Sequence, residues 1–445
     1  MELKKKYPKV LIIGEVFKLN SGGGITMSNL FADWPSGNLS VLSERTQEAN
    51  GKVCENYYHL GKSEIRFKFP LSVFNPLSNS GSKHIIFNNS NSTTHINNKN
   101  HILKNAIKPV YYFSRNVIIE FLHRIGLYHS LYSICLSNEL KNYVDTFNPD
   151  LLYCQIFSFN TIRLINLLKN YTNCPVVIHI MDDFPNIIIK RGLKYHYWHQ
   201  KLDTEFKNII AKSAVCLSIS VRMSEEYKKR YSREFIPFRN PVDLSFWKTD
   251  LKKNYQFKDK FVILYAGRLG AGIDKTLKMI AASIDRLVIK SGYNIELLIQ
   301  TTQFPKWEKE FEQTKFSLYI DYEKLPALFS SVDLLLLPYD FSGRGLIYIK
   351  YSMPTKVSEY MASSTPILIV SPKDTALYSY AKSLECAHIV HENNIKSIMN
   401  GIKVLYQNVE LRRKYAIKAL EIVKTDSEVS IVRENFLAAL KSALG

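Results

Sequence analysis

Residues 330–370 read SSVDLLLLPYDFSGRGLIYIKYSMPTKVSEYMASSTPILIV, and this stretch decides the fold. Two apolar runs, 333–338 and 366–370, have the length and composition of strands buried on both faces. Between them a polar loop feeds a short helix that starts near Pro354, with Val357 and Met361 on its apolar face. Strand, loop, helix and strand in this order is the grammar of a parallel α/β sheet, where ligands sit outside the carboxyl ends of strands and at helix N-termini. The junction carries Ser352, Thr355 and Lys356, with Glu359 one turn further on. Hydroxyls and an ammonium group suit a phosphate, and a carboxylate suits a hydroxyl. An ordinary capped helix between two strands accounts for the same residues, and the stretch alone leaves both readings open.

The same grammar extends in both directions. Ahead of the stretch come an apolar strand at 261–265, a helix over 275–291, a strand at 295–299 and a helix over 325–330; helices from 395 onward follow it. The first half opens on a buried-type strand at 9–14, then Gly22, Gly23 and Gly24 and a helix over 25–34. Glycines at that point let backbone N–H groups approach an anion, and they equally make a tight turn with no ligand. The GxGxxG spacing of a dinucleotide fold is absent. Strands at 151–154, 175–180 and 215–218 then alternate with helices over 160–169, 202–212 and 224–231. A linker at 244–258 places the domain boundary near 245. The expected architecture is α/β: two facing Rossmann-like domains with an interdomain cleft. The first runs over 1–245 and the second over 246–426, and a closing helix at 427–445 packs back on the first. Residues 75–101, rich in Asn and Ser, cannot bury a core and are expected to form a mobile insertion.

The chain has 445 residues and is 46% hydrophobic, which fits a multidomain globular protein. No apolar run approaches the roughly 20 residues of a membrane span, and the basic N-terminus leads into a short strand with no cleavage site. A cytoplasmic location is expected. Cys54, Cys135, Cys154, Cys174, Cys216 and Cys386 form no CxxC pair and read as reduced thiols. The formal net charge is +19. It favours polyanionic partners, while the abundance of Lys, Asn and Ile also fits compositional drift. Residues 102–132 interleave Lys104, Lys108, Arg115, His123 and Arg124 with aliphatic and aromatic side chains. That pattern suits an anionic membrane interface as well as a helix packed on a sheet. No RNA-stacking or helix-turn-helix signature points to nucleic acid.

Several islands then fall into register. Gly22-Gly23-Gly24, His179 in VVIHIMDDFP, Asn240 in RNPVD, AGRLG followed by Lys275, and PTKVSEYMASSTPIL together resemble a GT-B glycosyltransferase of the retaining family 4 type. The resemblance implies transfer of a sugar from a nucleotide-sugar donor to a glycan or lipid-linked acceptor, with retained configuration, in bacterial surface polysaccharide synthesis. It implies that Arg268 and Lys275 clamp the leaving diphosphate without a metal or other cofactor. His179 is expected against the donor sugar, and Glu359 on the ribose. The first glutamate of the family's pair falls near Tyr351, where there is no carboxylate, and Ser364 replaces a customary glycine. Lys350 and Arg344 add charge beside the loop. Asp182 and Asp183 are expected to cap a loop or bind acceptor hydroxyls rather than a metal. A nucleotide-sugar 2-epimerase of the same fold and a catalytically degenerate binding protein are the alternatives; peripheral attachment at the inner membrane face is the accompanying expectation.

Overall fold

The computed structural model describes residues 7–18, 22–74, 77–87, 116–189, 192–270 and 272–445. The chain divides into two compact units. One comprises Met1–Leu217, Tyr227–Ile236 and Leu437–Gly445, the other Ser218–Glu226 and Pro237–Phe436.

The first unit is built on an eight-stranded sheet of order β10-β9-β8-β7-β1-β2-β3-β5. Its strands are β1 (Val10–Ile13), β2 (Leu39–Ser43), β3 (Asn56–His59), β5 (Gly81–His84), β7 (Leu151–Cys154), β8 (Val176–Ile180), β9 (Val215–Ser218) and β10 (Ile236–Pro237). A separate antiparallel ribbon pairs β4 (Ile65–Phe67) with β6 (Tyr132–Ile134). The strand β1 lies between β2 and β7 and runs parallel to both. Val10, Leu11, Ile12 and Ile13 are at most 1% exposed, which is why they read as one continuous apolar run. Helix α1 (Gly22–Leu30) follows β1, α2 (Phe159–Thr172) follows β7, and α3 (Tyr195–Lys212) comes after β8.

The second unit carries a six-stranded sheet of order β13-β12-β11-β14-β15-β16. Its members are β11 (Phe261–Ala266), β12 (Ile295–Gln300), β13 (Thr314–Ser317), β14 (Leu334–Pro338), β15 (Ile367–Val370) and β16 (His388–Val390). Every neighbouring pair is parallel. Strand order reverses between β11 and β14, so the loops leaving their carboxyl ends flank the position where a doubly wound sheet binds ligands. Helix α4 (Asp274–Ser291) follows β11, and α5 (Gly343–Ile349) and α6 (Lys356–Ala362) follow β14. The apolar face of α4 and the strands share one core, including Phe261, Ile263, Leu277, Ile284, Leu336 and Leu368.

Three expectations are corrected. The polar loop after β14 contains a helix, α5, because Ser342 caps it by accepting from the Gly345 N–H. The linker expected at 244–258 begins with a helix, Leu244–Trp247, capped by Asp243, and Trp247 is fully buried. The segment around 242 is tied into the second unit by Val242 N–H to Ser427 and Val429 N–H to Val242, so the division falls at 236/237 rather than at 245. Within the expected mobile insertion, residues 81–84 form an edge strand antiparallel to β3; residues 75–76 and 88–101 lie outside the described residues. The basic and aromatic segment lies outside them up to 115 and is helical over 116–124. Among the described residues no helix is long and apolar enough to cross a membrane. The six cysteines are free thiols.

Candidate functional site

In the second unit the site grows from the end of β11. The final N–H of that strand, on Ala266, donates to the Tyr360 hydroxyl of α6 at 3.1 Å. One residue earlier, the Tyr265 hydroxyl donates to the Arg268 carbonyl at 2.7 Å, which pins the turn through Gly267 and Arg268. Lys356, in the first turn of α6, extends its ammonium group into this turn and stands 4.7 Å from the centre of the Tyr265 ring. A Cβ on Gly267 would lie 1.7 Å from that nitrogen, so only glycine lets the lysine come so close to the backbone.

Burial is the main electrostatic fact here. It pushes the Lys356 ammonium down to about 8, with Arg268 acting in the same direction and Glu359 against it. It also pushes the Glu359 carboxyl up to about 7, opposed by Lys356 and by a hydrogen bond from Tyr322. Burial thus leaves a lysine easily neutralised and an acid easily protonated, three residues apart on one helix. Arg268 and Lys275 remain exposed, and neither is in an ion pair with a described residue. Lys275 stands in the first turn of α4, which is fixed by Asp340: its carboxylate accepts from the Thr276 N–H at 2.9 Å and its own N–H donates to Gly272 at 2.7 Å. Gly272, at φ +92°, and Gly345 meet where the loop after β11 touches α5.

Other expected residues behave differently. Ser352 turns its hydroxyl back to donate to the Tyr348 carbonyl at 2.8 Å. Thr355 makes no side-chain cap, and its carbonyl accepts from Asn240 at 3.4 Å. Of the three residues at that junction, Lys356 is the one directed at the strand ends. Asn240 is a stitch: its carbonyl also accepts from Ser358 at 2.9 Å. Tyr351, in the place of the family's first glutamate, is 5% exposed, with Lys350 over its ring at 5.3 Å. The Arg344 side chain lies outside what is described.

In the first unit, Gly22, Gly23 and Gly24 open α1. Gly24 is needed for packing, because a Cβ there would meet the Lys18 stem at 2.3 Å. Lys18 is itself paired with Glu15 and Glu48, each at 2.7 Å. His179 is 1% exposed, and its Nδ1 lies 2.6 Å from the Tyr153 hydroxyl on the neighbouring strand. Asp183 pairs with Arg230 at 2.8 Å and accepts from Tyr227 at 2.9 Å, so it braces two elements instead of capping a loop. Tyr265, Tyr322, Tyr360 and Asp340 were not legible as site residues. The only sequence signal for Asp340 is its place as the first acid after the LLLLP strand.

This second unit can now be compared with known proteins. Residues 248–421 match the family of glycosyl transferases group 1. The group 1 region thus holds every element that builds the Arg268, Lys275, Lys356 and Glu359 site. No curated protein matches the chain by sequence. Among solved structures, the chain is similar to sucrose-phosphate synthase from Thermosynechococcus elongatus, at 12% identity over 97% of this chain and 98% of that one, with a TM-score of 0.58. It is similar to HepE from Anabaena in complex with UDP-glucose, at 12% identity over 98% and 100%, with a TM-score of 0.57. A glycosyltransferase from Rickettsia africae ESF-5 gives 11% identity over 98% of each chain and a TM-score of 0.60. At such identities the likeness establishes the fold, which is the GT-B fold, with the group 1 region as its second half.

Proposed function

We propose that the protein moves a sugar from a nucleotide-sugar donor to a glycan or lipid-linked acceptor in surface polysaccharide synthesis, with retention at the anomeric carbon. The observation that carries this reading is the convergence of Lys356 on the Gly267–Arg268 turn at the carboxyl end of β11, within the group 1 region. Breaking the anomeric C–O bond places growing negative charge on the departing diphosphate, and fixed cations there lower the barrier. Arg268 and Lys275 supply two exposed charges, and Lys356 a third whose partial burial strengthens its field. These cations do the work that a metal ion does elsewhere, so none is required. Glu359, one turn along α6, accepts from ribose hydroxyls. That a structure of the same fold holds UDP-glucose makes uridine diphosphate sugars the first donors to try.

The protein is taken to work at the inner face of a membrane, where a lipid-linked acceptor resides. The test is donor turnover with EDTA present, read as release of nucleoside diphosphate. Arg268→Ala and Lys275→Ala are each expected to lower it by about a hundredfold or more, with folding intact. Unchanged turnover in both variants removes the clamp from the mechanism, and an inverted anomer in the product's NMR spectrum overturns retention.

A further inference from the structure

The first unit contains a cavity of about 650 Å³ that nothing above uses. Lys68, Arg163, Lys194 and Lys201 line it, and among the described residues no carboxylate does. Arg163 leans toward Glu205 at 3.7 Å, whereas Lys68, Lys194 and Lys201 have no ion-pair partner among the described residues. Concentrated positive charge in a concave, partly dry space raises the local concentration of anions.

The cations come from separate elements: Lys68 follows β4, Arg163 lies on α2, Lys201 on α3, and Lys194 just ahead of α3. Their floor is rigid and aromatic. Trp198 is 6% exposed, donates its indole N–H to the Gly126 carbonyl at 2.6 Å, and packs against His129 with ring centres 5.3 Å apart. The Lys201 ammonium stands 5.6 Å from the centre of the Trp198 ring. His129 adds no charge at neutral pH, since burial, His123 and Arg163 push it down to about 4.

Exposed apolar side chains accompany these cations. Leu127 of the lining is 39% exposed; Phe69, next in sequence to Lys68, is 78% exposed, and Leu193, next to Lys194, is 85% exposed. Exposed apolar side chains next to a cationic cavity suit an interaction site. A free anion would use the cations and leave these side chains in water. A molecule with an anionic head and a hydrocarbon chain uses both.

We propose that this cavity binds the phosphoryl head of an amphiphile, with the alkyl chain laid over Phe69, Leu127 and Leu193. The proposal deepens the reading of a lipid-linked acceptor and rests on it for the identity of the ligand's class. Trp198 in the floor provides the signal. The full chain is titrated with dodecyl phosphate below its micelle concentration, and in parallel with inorganic phosphate and with dodecyl maltoside, following tryptophan fluorescence. Dodecyl phosphate is expected to give a saturable change. Inorganic phosphate and dodecyl maltoside are expected to bind at least about tenfold more weakly, each offering half of the chemistry. The double variant Lys194→Glu, Lys201→Glu is expected to weaken dodecyl phosphate by about tenfold or more, and Phe69→Ser with Leu193→Ser to weaken it while leaving inorganic phosphate unaffected. Equal affinity for inorganic phosphate would refute the amphiphile, equal affinity for the maltoside would refute the cationic head site, and insensitivity to charge reversal would refute the cavity. Stabilisation by UDP-glucose, measured in the same samples, belongs to the second unit and persists in the charge-reversed protein. Dodecyl phosphate binding without any nucleotide-sugar binding would uphold the cavity and remove the proposed function.

Discussion

Lys356 and Glu359 are a partly buried pair whose protonation is linked to folding. The Glu359 carboxyl rises from about 4.5 to about 7, so the folded protein holds a proton that the unfolded chain has released over that interval, and stability falls as pH climbs from about 4.5 to 7. The Lys356 ammonium falls from 10.5 to about 8, so the unfolded chain holds the extra proton between those values, and stability rises again as pH climbs from 8 toward 10.5. Urea unfolding of the ligand-free protein across pH 5–10 is therefore expected to show a minimum of this contribution between about 7 and 8. Glu359→Gln is expected to flatten the acidic limb and, because the Glu359 charge holds Lys356 up, to start the alkaline limb at lower pH; an identical profile in the variant would show that the carboxylate is not buried as described. Both residues were legible in the sequence because they lie on one short helix at a loop junction. The tyrosine that His179 meets was not, since the sequence of one strand does not name the residues of its neighbour. Tyr322 and the ring of Tyr265 were hidden because the Glu359 and Lys356 they meet are remote in sequence.

At the level of elements, the second unit's sheet and α6 are joined by single hydrogen bonds that fix the site. The Tyr360 hydroxyl accepts from Ala266 N–H at the last residue of β11, and that side chain is fully buried. Tyr360→Phe leaves this donor without its partner, with an expected loss of about 1–3 kcal/mol in unfolding free energy by urea denaturation; a loss below a few tenths would mean the bond does not hold α6 to the strand. Ser364, just beyond α6, adopts φ +56°, the left-handed conformation that accounts for a glycine preference there. Its hydroxyl compensates through a 2.9 Å hydrogen bond with Tyr255. Central strands such as β11 and β14 were readable because burial on both faces demands unbroken apolar runs. The edge strands Gly81–His84 and Thr314–Ser317 were not, because one paired side needs no apolar sequence. Helix α5 escaped notice because GRGLIYI shows no helical alternation of polar and apolar residues, and its start is set by the Ser342 cap.

Across the whole molecule, two doubly wound units carry different chemistry. The group 1 region gathers cations at the reversal point between β11 and β14, and the first unit places a separate cationic cavity. On the two proposals made above, the net charge of +19 serves a diphosphate in one unit and a phosphorylated amphiphile in the other. Fold class and the alternation of elements were readable at the first strand and again from 151 onward, but the strands Leu39–Ser43 and Asn56–His59 and the helix Asn138–Phe147 were not anticipated, and the cavity, assembled from residues 68, 163, 194 and 201, has no linear signature. The central claim is that the second unit binds a nucleotide sugar. The direct measurement is the thermal unfolding midpoint of the full chain against a panel of uridine, guanosine, adenosine and thymidine diphosphate sugars. At least one of them is predicted to raise apparent stability, by about 2.7 kcal/mol at a hundred times its dissociation constant, and to do so less in Lys356→Ala. A midpoint unmoved by every member of the panel would contradict the claim.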